Sequence, residues 1–156
     1  MAIAEKLDAY LRAQDAAYDL VAHPLTGSSM ATAEVAHVPG DRLAKAVIVR
    51  DKQHYVMIVL PSDHHLELNS IGEHLEAMIG MASEGELAQL FPDCALGAIP
   101  PFGAAYGLKT LWDSALASQP EIYFEAGDHQ LLVRMTGEQF RRLMGDAVEG
   151  HFSHHL

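Results

Sequence analysis

Leu43-Ala44-Lys45-Ala46-Val47-Ile48-Val49, then Asp51-Lys52-Gln53, then Tyr55-Val56-Met57-Ile58-Val59-Leu60 is the stretch whose reading decides the fold. Both flanks are apolar and rich in β-branched residues, and the polar trio between them is turn chemistry. That pattern predicts an antiparallel hairpin at the centre of a sheet. One residue breaks it. Period-2 alternation sets Lys45 on the same face as Leu43, Val47 and Val49. An ammonium among such neighbours is costly to bury unless it meets an anion or hydrogen-bond acceptors. The alternative is a lysine near the start of its strand that snorkels out to water.

Outward from the hairpin, periodicity and caps give the other elements. Ile3, Leu7, Tyr10 and Leu11 fall on one stripe of a first helix. Tyr18 to Ala22 reads as a short strand ended by His23-Pro24, because proline biases its predecessor away from the α region. Thr26-Gly27-Ser28-Ser29 is a loop able to cap a helix from about Met30 to His37. Beyond the hairpin come a helix over Leu66 to Leu75 and a strand over Met78 to Ala82. Ser83-Glu84-Gly85-Glu86 is a capping box opening a helix to about Leu90. Pro92 to Gly107 is irregular, and strands follow over Leu108 to Trp112, Ile122 to Ala126 and Leu131 to Met135. Thr136-Gly137-Glu138-Gln139 is a second capping box, opening a last helix that Gly145 ends.

About six strands and five helices interleave without a βαβ rhythm, which predicts an α+β fold. The sheet is expected to be curved and mostly antiparallel or mixed, flanked by helices. The expected organisation is a single domain over residues 1–148 and a flexible tail over 149–156.

The 156 residues suit one domain with its own core, and the single cysteine, Cys94, excludes a disulfide framework and a cysteine-based zinc module. Ten Lys and Arg against 21 Asp and Glu leave a net charge of −11, which argues against non-specific binding to nucleic acid or an anionic membrane. A short contact with a single phosphate stays open. The N-terminus lacks a signal-peptide pattern, and the longest apolar run, Tyr55 to Pro61, is far short of the ~20 residues that span a bilayer. The expectation is a soluble, cytoplasmic protein.

Few residues stand out as chemistry. The loop Gly97-Ala98-Ile99-Pro100-Pro101-Phe102-Gly103 combines residues that stiffen the chain with residues that let backbone approach a ligand. It is neither a Walker loop nor a dinucleotide fingerprint, and an ordinary rigid connection is its plainer reading. His129 sits in a hairpin turn from which an imidazole can reach a pocket or simply be solvated. Thr32, Ser28 and Ser29 can serve as hydroxyl ligands or caps. Cys94 shows neither a base nor an activating charge and reads as a packing cysteine. His64-His65 are adjacent and point to opposite faces of a strand, and His151, His154 and His155 lie in a tail expected to offer no fixed geometry beyond adventitious binding, so no native metal site is expected.

Taken in order, Thr32-Ala33-Glu34-Val35-Ala36, Lys45 in its strand, the Gly97–Gly103 loop and Tyr123-Phe124-Glu125-Ala126-Gly127-Asp128-His129 resemble the YbaK/prolyl-tRNA synthetase-associated domain family over about Ala4 to Met144. The resemblance implies a freestanding hydrolase that deacylates mischarged aminoacyl-tRNA, with Ala- or Cys-tRNA(Pro)-like substrates. It implies an α/β fold with a strongly curved central sheet and no cofactor. Lys45 matches the family's active-site lysine, which anchors the terminal adenosine or its phosphate. Gly97, Pro100 and Gly103 match its glycine–proline loop, and Pro101 and Phe102 belong to the same segment. His129 matches a position that is His in some alanine-editing members. The resemblance also implies that Thr32 and Ala46 line the aminoacyl pocket, Ala46 standing where many members carry Thr or Asn. The implied partners are the aminoacyl-tRNA acceptor end and an aminoacyl-tRNA synthetase, with no DNA and no membrane. A second reading, a catalytically reduced binding or regulatory module, rests on the acidic charge and on Ala46.

Overall fold

The computed structural model describes residues 3–25 and 28–156, so Thr26 and Gly27 of the expected capping loop lie outside the described residues. In chain order the elements are α1 (Glu5–Ala13), β1 (Asp19–Ala22), α2 (Ser29–Ala36), β2 (Leu43–Arg50), β3 (Tyr55–Pro61), β4 (His64–Leu66), α3 (Leu68–Leu75) and β5 (Gly80–Met81). They continue with α4 (Glu84–Leu90), β6 (Lys109–Asp113), α5 (Ser114–Ala117), β7 (Glu121–Glu125), β8 (Leu131–Thr136), α6 (Gly137–Met144), β9 (Val148–Gly150) and β10 (Ser153–His155).

The main sheet runs β1-β8-β7-β2-β3-β6-β9, with β5 added to the far end of β2. The expected hairpin is its centre: β2 and β3 pair antiparallel from Ala44↔Pro61 to Arg50↔Tyr55. The sheet is mixed. β1/β8, β7/β8 and β2/β5 are antiparallel, whereas β2/β7, β3/β6 and β6/β9 are parallel.

Helices cover both faces. On one, Ala44, Ile48, Met57, Val59, Trp112, Phe124 and Val133 pack with Leu7 and Leu11 of α1, Phe140 and Leu143 of α6, and Phe91, Ile99 and Phe102. On the other, Leu43 and Leu132 meet Ala33 and Val38, and Val49, Val56, Ile58 and Leu111 meet Ile71 and Phe152. This double burial is why the hairpin is apolar throughout rather than alternating. Lys45 keeps the face that period 2 assigns it, beside α2 and α3.

The caps differ in detail. Ser83 and Glu86 form the reciprocal box. Thr136 Oγ1 accepts from the Gln139 amide, but the Gln139 side chain accepts from the backbone N–H of Ala17 instead of returning to its own cap. Gly137 is required sterically: a Cβ there would lie 1.9 Å from the Gln119 carbonyl oxygen.

The tail departs from expectation. Residues 149–156, read as flexible, hold the end of β9 on β6 and all of β10 on β4. β10 draws His64–Leu66 into a second, two-stranded sheet, so α3 starts at Leu68 rather than Leu66. Phe152, only 3% exposed, anchors this segment in the core. Phe152→Ala is expected to lower stability by about 3–5 kcal/mol in urea unfolding. His154→Ala, which removes a surface pair with Glu67, should change it by no more than about 1 kcal/mol. Equal and small effects would show that the tail is not part of the core.

Candidate functional site

Two polar groups lie on the α2/α3 face where β2 and β7 part. The strands pair at Leu43↔Tyr123 and Ala44↔Phe124 and no further. The next residues, Lys45 and Glu125, therefore emerge on one face with no ladder between them.

Lys45 is half-buried. Its Nζ donates to the His64 carbonyl oxygen at 2.9 Å and the Ser62 carbonyl oxygen at 3.4 Å. Burial pulls its pKa down, and the Asp63 carboxylate opposes that shift. The amine is therefore not a bare cation awaiting a phosphate; the β3–β4 turn already satisfies it in part. That turn is itself fixed. The Ser62 amide donates to the Leu43 carbonyl at 2.8 Å. His64 Nδ1 meets Ser153 Oγ at 2.8 Å, and Ser153 Oγ donates to the buried Asp113 carboxylate at 2.8 Å. Asp113 also accepts the Phe152 amide. Lys45 lines a cavity of about 310 Å³ with Val47, Leu60, His64, His65, Leu66, Leu68 and Met81.

The second group is a buried cluster. His23, Thr32, Glu125 and His129 are all at most 7% exposed. Thr32 Oγ1 donates to Glu125 Oε1 at 2.9 Å, and His23 Nε2 lies 3.2 Å and His129 Nδ1 3.8 Å from that same oxygen. Burial pushes the Glu125 pKa up; the Thr32 hydrogen bond and the two imidazoles oppose the shift. His129 Nε2 reaches the Leu96 carbonyl oxygen at 2.5 Å, and the Ala95 amide donates to the Gly127 carbonyl. These contacts dock the 95–98 loop on the β7–β8 turn. Gly97 is exposed with φ +81°, and a Cβ there would lie 3.2 Å from His129 Nε2, so conformation and space both favour glycine.

The structure thus brings Gly97, His129 and Thr32 into one cluster, with Lys45 on the adjacent strand of the same face. The remaining sequence candidates lie elsewhere. Ala46 packs against the α1/α6 core, across the sheet from Lys45. Pro100, Pro101, Phe102 and Gly103 are buried. The Phe102 ring packs 5.4 Å from Tyr10, 5.1 Å from Phe124 and 5.6 Å from Phe140. A Cβ on Gly103 would collide with Thr110 and Leu108. The second half of the loop is its anchorage, and only its exposed start, at Gly97, faces outward. Burial drives the Cys94 thiol up to about 12, which suits packing rather than nucleophilic attack. Among the described residues, no three His, Cys, Asp or Glu side chains are grouped to hold a metal ion, and no helix is long and apolar enough to cross a membrane.

Sequence reasoning missed His23, Glu125, Asp113 and Ser153. Glu125 carried the same signal as Lys45, a charge amid apolar strand residues, yet it entered the sequence analysis only as one letter of the Tyr123–His129 motif. His23 read only as the residue before a proline.

The sequence profile of the aminoacyl-tRNA editing domain family matches residues 23–143. The Multifunctional Ser/Thr-tRNA deacylase ProXp-y of Escherichia coli (strain K12) is 30% identical over 129 residues, 79% of this chain and 77% of that protein. The crystal structure of a hypothetical protein superposes with TM-score 0.85 at 23% identity, covering 96% of this chain and 100% of that one. A candidate trans-editing enzyme for prolyl-tRNA synthetase superposes with TM-score 0.82 at 18% identity, covering 97% and 96%. At such identities the two structures show the fold alone. The profile match spans both polar groups, and with it the chain belongs to the aminoacyl-tRNA editing domain family, a family of aminoacyl-tRNA deacylases.

Proposed function

We propose that the chain acts in trans on mischarged aminoacyl-tRNA, hydrolysing the ester that joins a small amino acid to the terminal adenosine. The single observation that carries this reading is the half-buried Lys45 ammonium at the parting of β2 and β7. An ammonium has three N–H donors, and two are directed at the Ser62 and His64 carbonyls. The third is free to meet a phosphate or ester oxygen of the acceptor end, a charge-assisted contact.

Water attacks the ester carbonyl carbon, the bond to the ribose oxygen breaks, and that oxygen leaves as a hydroxyl after taking a proton. The products are free amino acid and uncharged tRNA. Among the described residues the Gly97 N–H makes no hydrogen bond, and an exposed backbone donor of this kind suits the developing oxyanion. His129 turns both ring nitrogens inward, to Leu96 and Glu125, so its role is to hold the loop rather than to move the substrate's protons. With no general base placed at the ester among the described residues, proton transfer falls to solvent and the ribose hydroxyls, and much of the rate to orientation.

Serine and threonine, the amino acids in the name of the relative, join alanine and cysteine as candidate substrates. With a net charge of −11 and Arg50 committed to Glu86, contact with tRNA is confined to the acceptor end and is weak and salt-sensitive. Handover from an aminoacyl-tRNA synthetase in the cytoplasm would offset that weakness.

The test is a panel of Ser-, Thr-, Ala- and Cys-tRNAs, including tRNA(Pro), followed for amino-acid release. At least one ester should turn over repeatedly, and Lys45→Ala should slow it by about a hundredfold or more. Binding without turnover would leave a recognition module, and an unchanged rate in Lys45→Ala would remove the lysine from the mechanism. A stability measurement is independent of substrate. Burial lowers the Lys45 pKa, so between that lowered value and lysine's ordinary one the unfolded chain binds more protons, and stability rises with pH across the window. Lys45→Met should stay folded and lose this rise in thermal melts at alkaline pH.

A further inference from the structure

The hydrogen bonds of the buried cluster restrict where its protons can be. His23 Nδ1 lies 2.7 Å from the Pro24 carbonyl oxygen, and His129 Nε2 lies 2.5 Å from that of Leu96. A carbonyl only accepts, so both of these nitrogens carry hydrogen. In the neutral rings the opposite nitrogens, His23 Nε2 and His129 Nδ1, are then bare lone pairs. Both face Glu125 Oε1, at 3.2 Å and 3.8 Å. With Glu125 ionised and both rings neutral, three electron-rich atoms would converge in a site where the side chains are only 1%, 5% and 6% exposed. Neither imidazole nitrogen, nor Glu125 Oε2, has a hydrogen-bond partner among the described residues. One added proton, on Glu125 or on either ring, turns this repulsion into attraction. The surroundings favour keeping it. Burial, the largest influence, opposes ionisation of Glu125, and the charge of Asp128 acts in the same direction, while the Thr32 hydroxyl, donating to Glu125, and the two imidazoles act against them. On the β2 side the charged group next in register on this face is Lys45, whose amine is turned to the β3–β4 turn.

The proton has a mechanical consequence. His129 grips the carbonyl of the Leu96–Gly97 peptide, and this peptide, like every other described one, is trans. A trans peptide directs its carbonyl and its N–H to opposite sides. Holding the Leu96 oxygen inward therefore turns the Gly97 N–H outward, away from the cluster.

We infer that Glu125 and His23 are positioning residues for deacylation: the proton they share with His129 locks that ring onto Leu96 and so aims the Gly97 N–H at the substrate. This rests on the deacylase reading of the site and adds two residues to it, neither of which touches substrate. Loss of the proton at alkaline pH restores the repulsion, loosens His129 and misaligns the donor. The activity is then lost in kcat, while KM, set mainly by tRNA contacts elsewhere, changes little.

The experiment pairs Glu125→Gln with Glu125→Ala. The amide matches the carboxyl in shape and supplies permanent N–H donors to the two bare nitrogens, so it mimics the protonated form. Glu125→Gln should keep kcat within about threefold of wild type near neutral pH and lose the alkaline fall in kcat, whereas Glu125→Ala should drop kcat about tenfold or more with KM nearly unchanged. Nitrogen-15 NMR of the imidazoles between about pH 5 and pH 9 reads the protons directly, without turnover. His23 and His129 should titrate together in the wild type, with hydrogen retained on His23 Nδ1 and His129 Nε2, and this joint step should be absent in Glu125→Gln. Independent titration of the two rings, or an alkaline limb in Glu125→Gln identical to wild type, overturns the inference even if Glu125→Ala fails to fold. Joint titration in a wild-type protein that cleaves no ester would instead overturn the deacylase reading and, with it, the positioning role, leaving only a shared proton.

Discussion

Two residue pairs, Leu43↔Tyr123 and Ala44↔Phe124, join the antiparallel β1-β8-β7 half of the sheet to the β2-β3-β6-β9 half, and the site depends on where this parallel seam stops. Had the ladder run one residue further, Lys45 and Glu125 would have faced each other across paired strands. Because it ends, each side chain leaves the sheet beside a gap that loops must close. The 95–98 loop closes one side by docking on the β7–β8 turn, and the β3–β4 turn closes the other through Ser62 and His64.

Both charges sit where water is scarce, so each has to be compensated locally. Lys45 takes two backbone carbonyls and the nearby Asp63 carboxylate. Glu125 takes a threonine hydroxyl and two imidazoles. The two solutions differ in kind. A lysine satisfied by carbonyls keeps its charge and a spare donor. A glutamate facing bare imidazole nitrogens needs a proton, which makes its arrangement sensitive to pH while that of Lys45 is set by the turn.

The far end of the chain supports this arrangement from behind. Phe152 fills the α3-side core, and Ser153 links the buried Asp113 carboxylate to His64, whose carbonyl holds Lys45. The lysine's placement therefore depends on Phe152 and Ser153, more than 100 positions away and beyond the 23–143 segment that the editing-domain profile matches. A mobile tail could not do this, since an acceptor is useful only at a fixed distance.

Sequence alone determined the hairpin, most of the helices and strands with near-correct bounds, the Ser83–Glu86 box, the face occupied by Lys45 and the order of motifs that marks the family. These follow from periods of 2 and 3.6 residues and from caps, all local in the chain. Only the tertiary structure decided that Phe102 and Gly103 anchor the loop while Gly97 faces out, that Ala46 lies across the sheet from Lys45, and that residues 149–156 carry strands. It alone united His23 and Thr32 with Glu125 and His129, because no periodicity relates residues more than 90 positions apart. Their meeting is set by strand order and by where a two-residue ladder ends, and both come from packing apolar faces, with the polar side chains placed as a consequence.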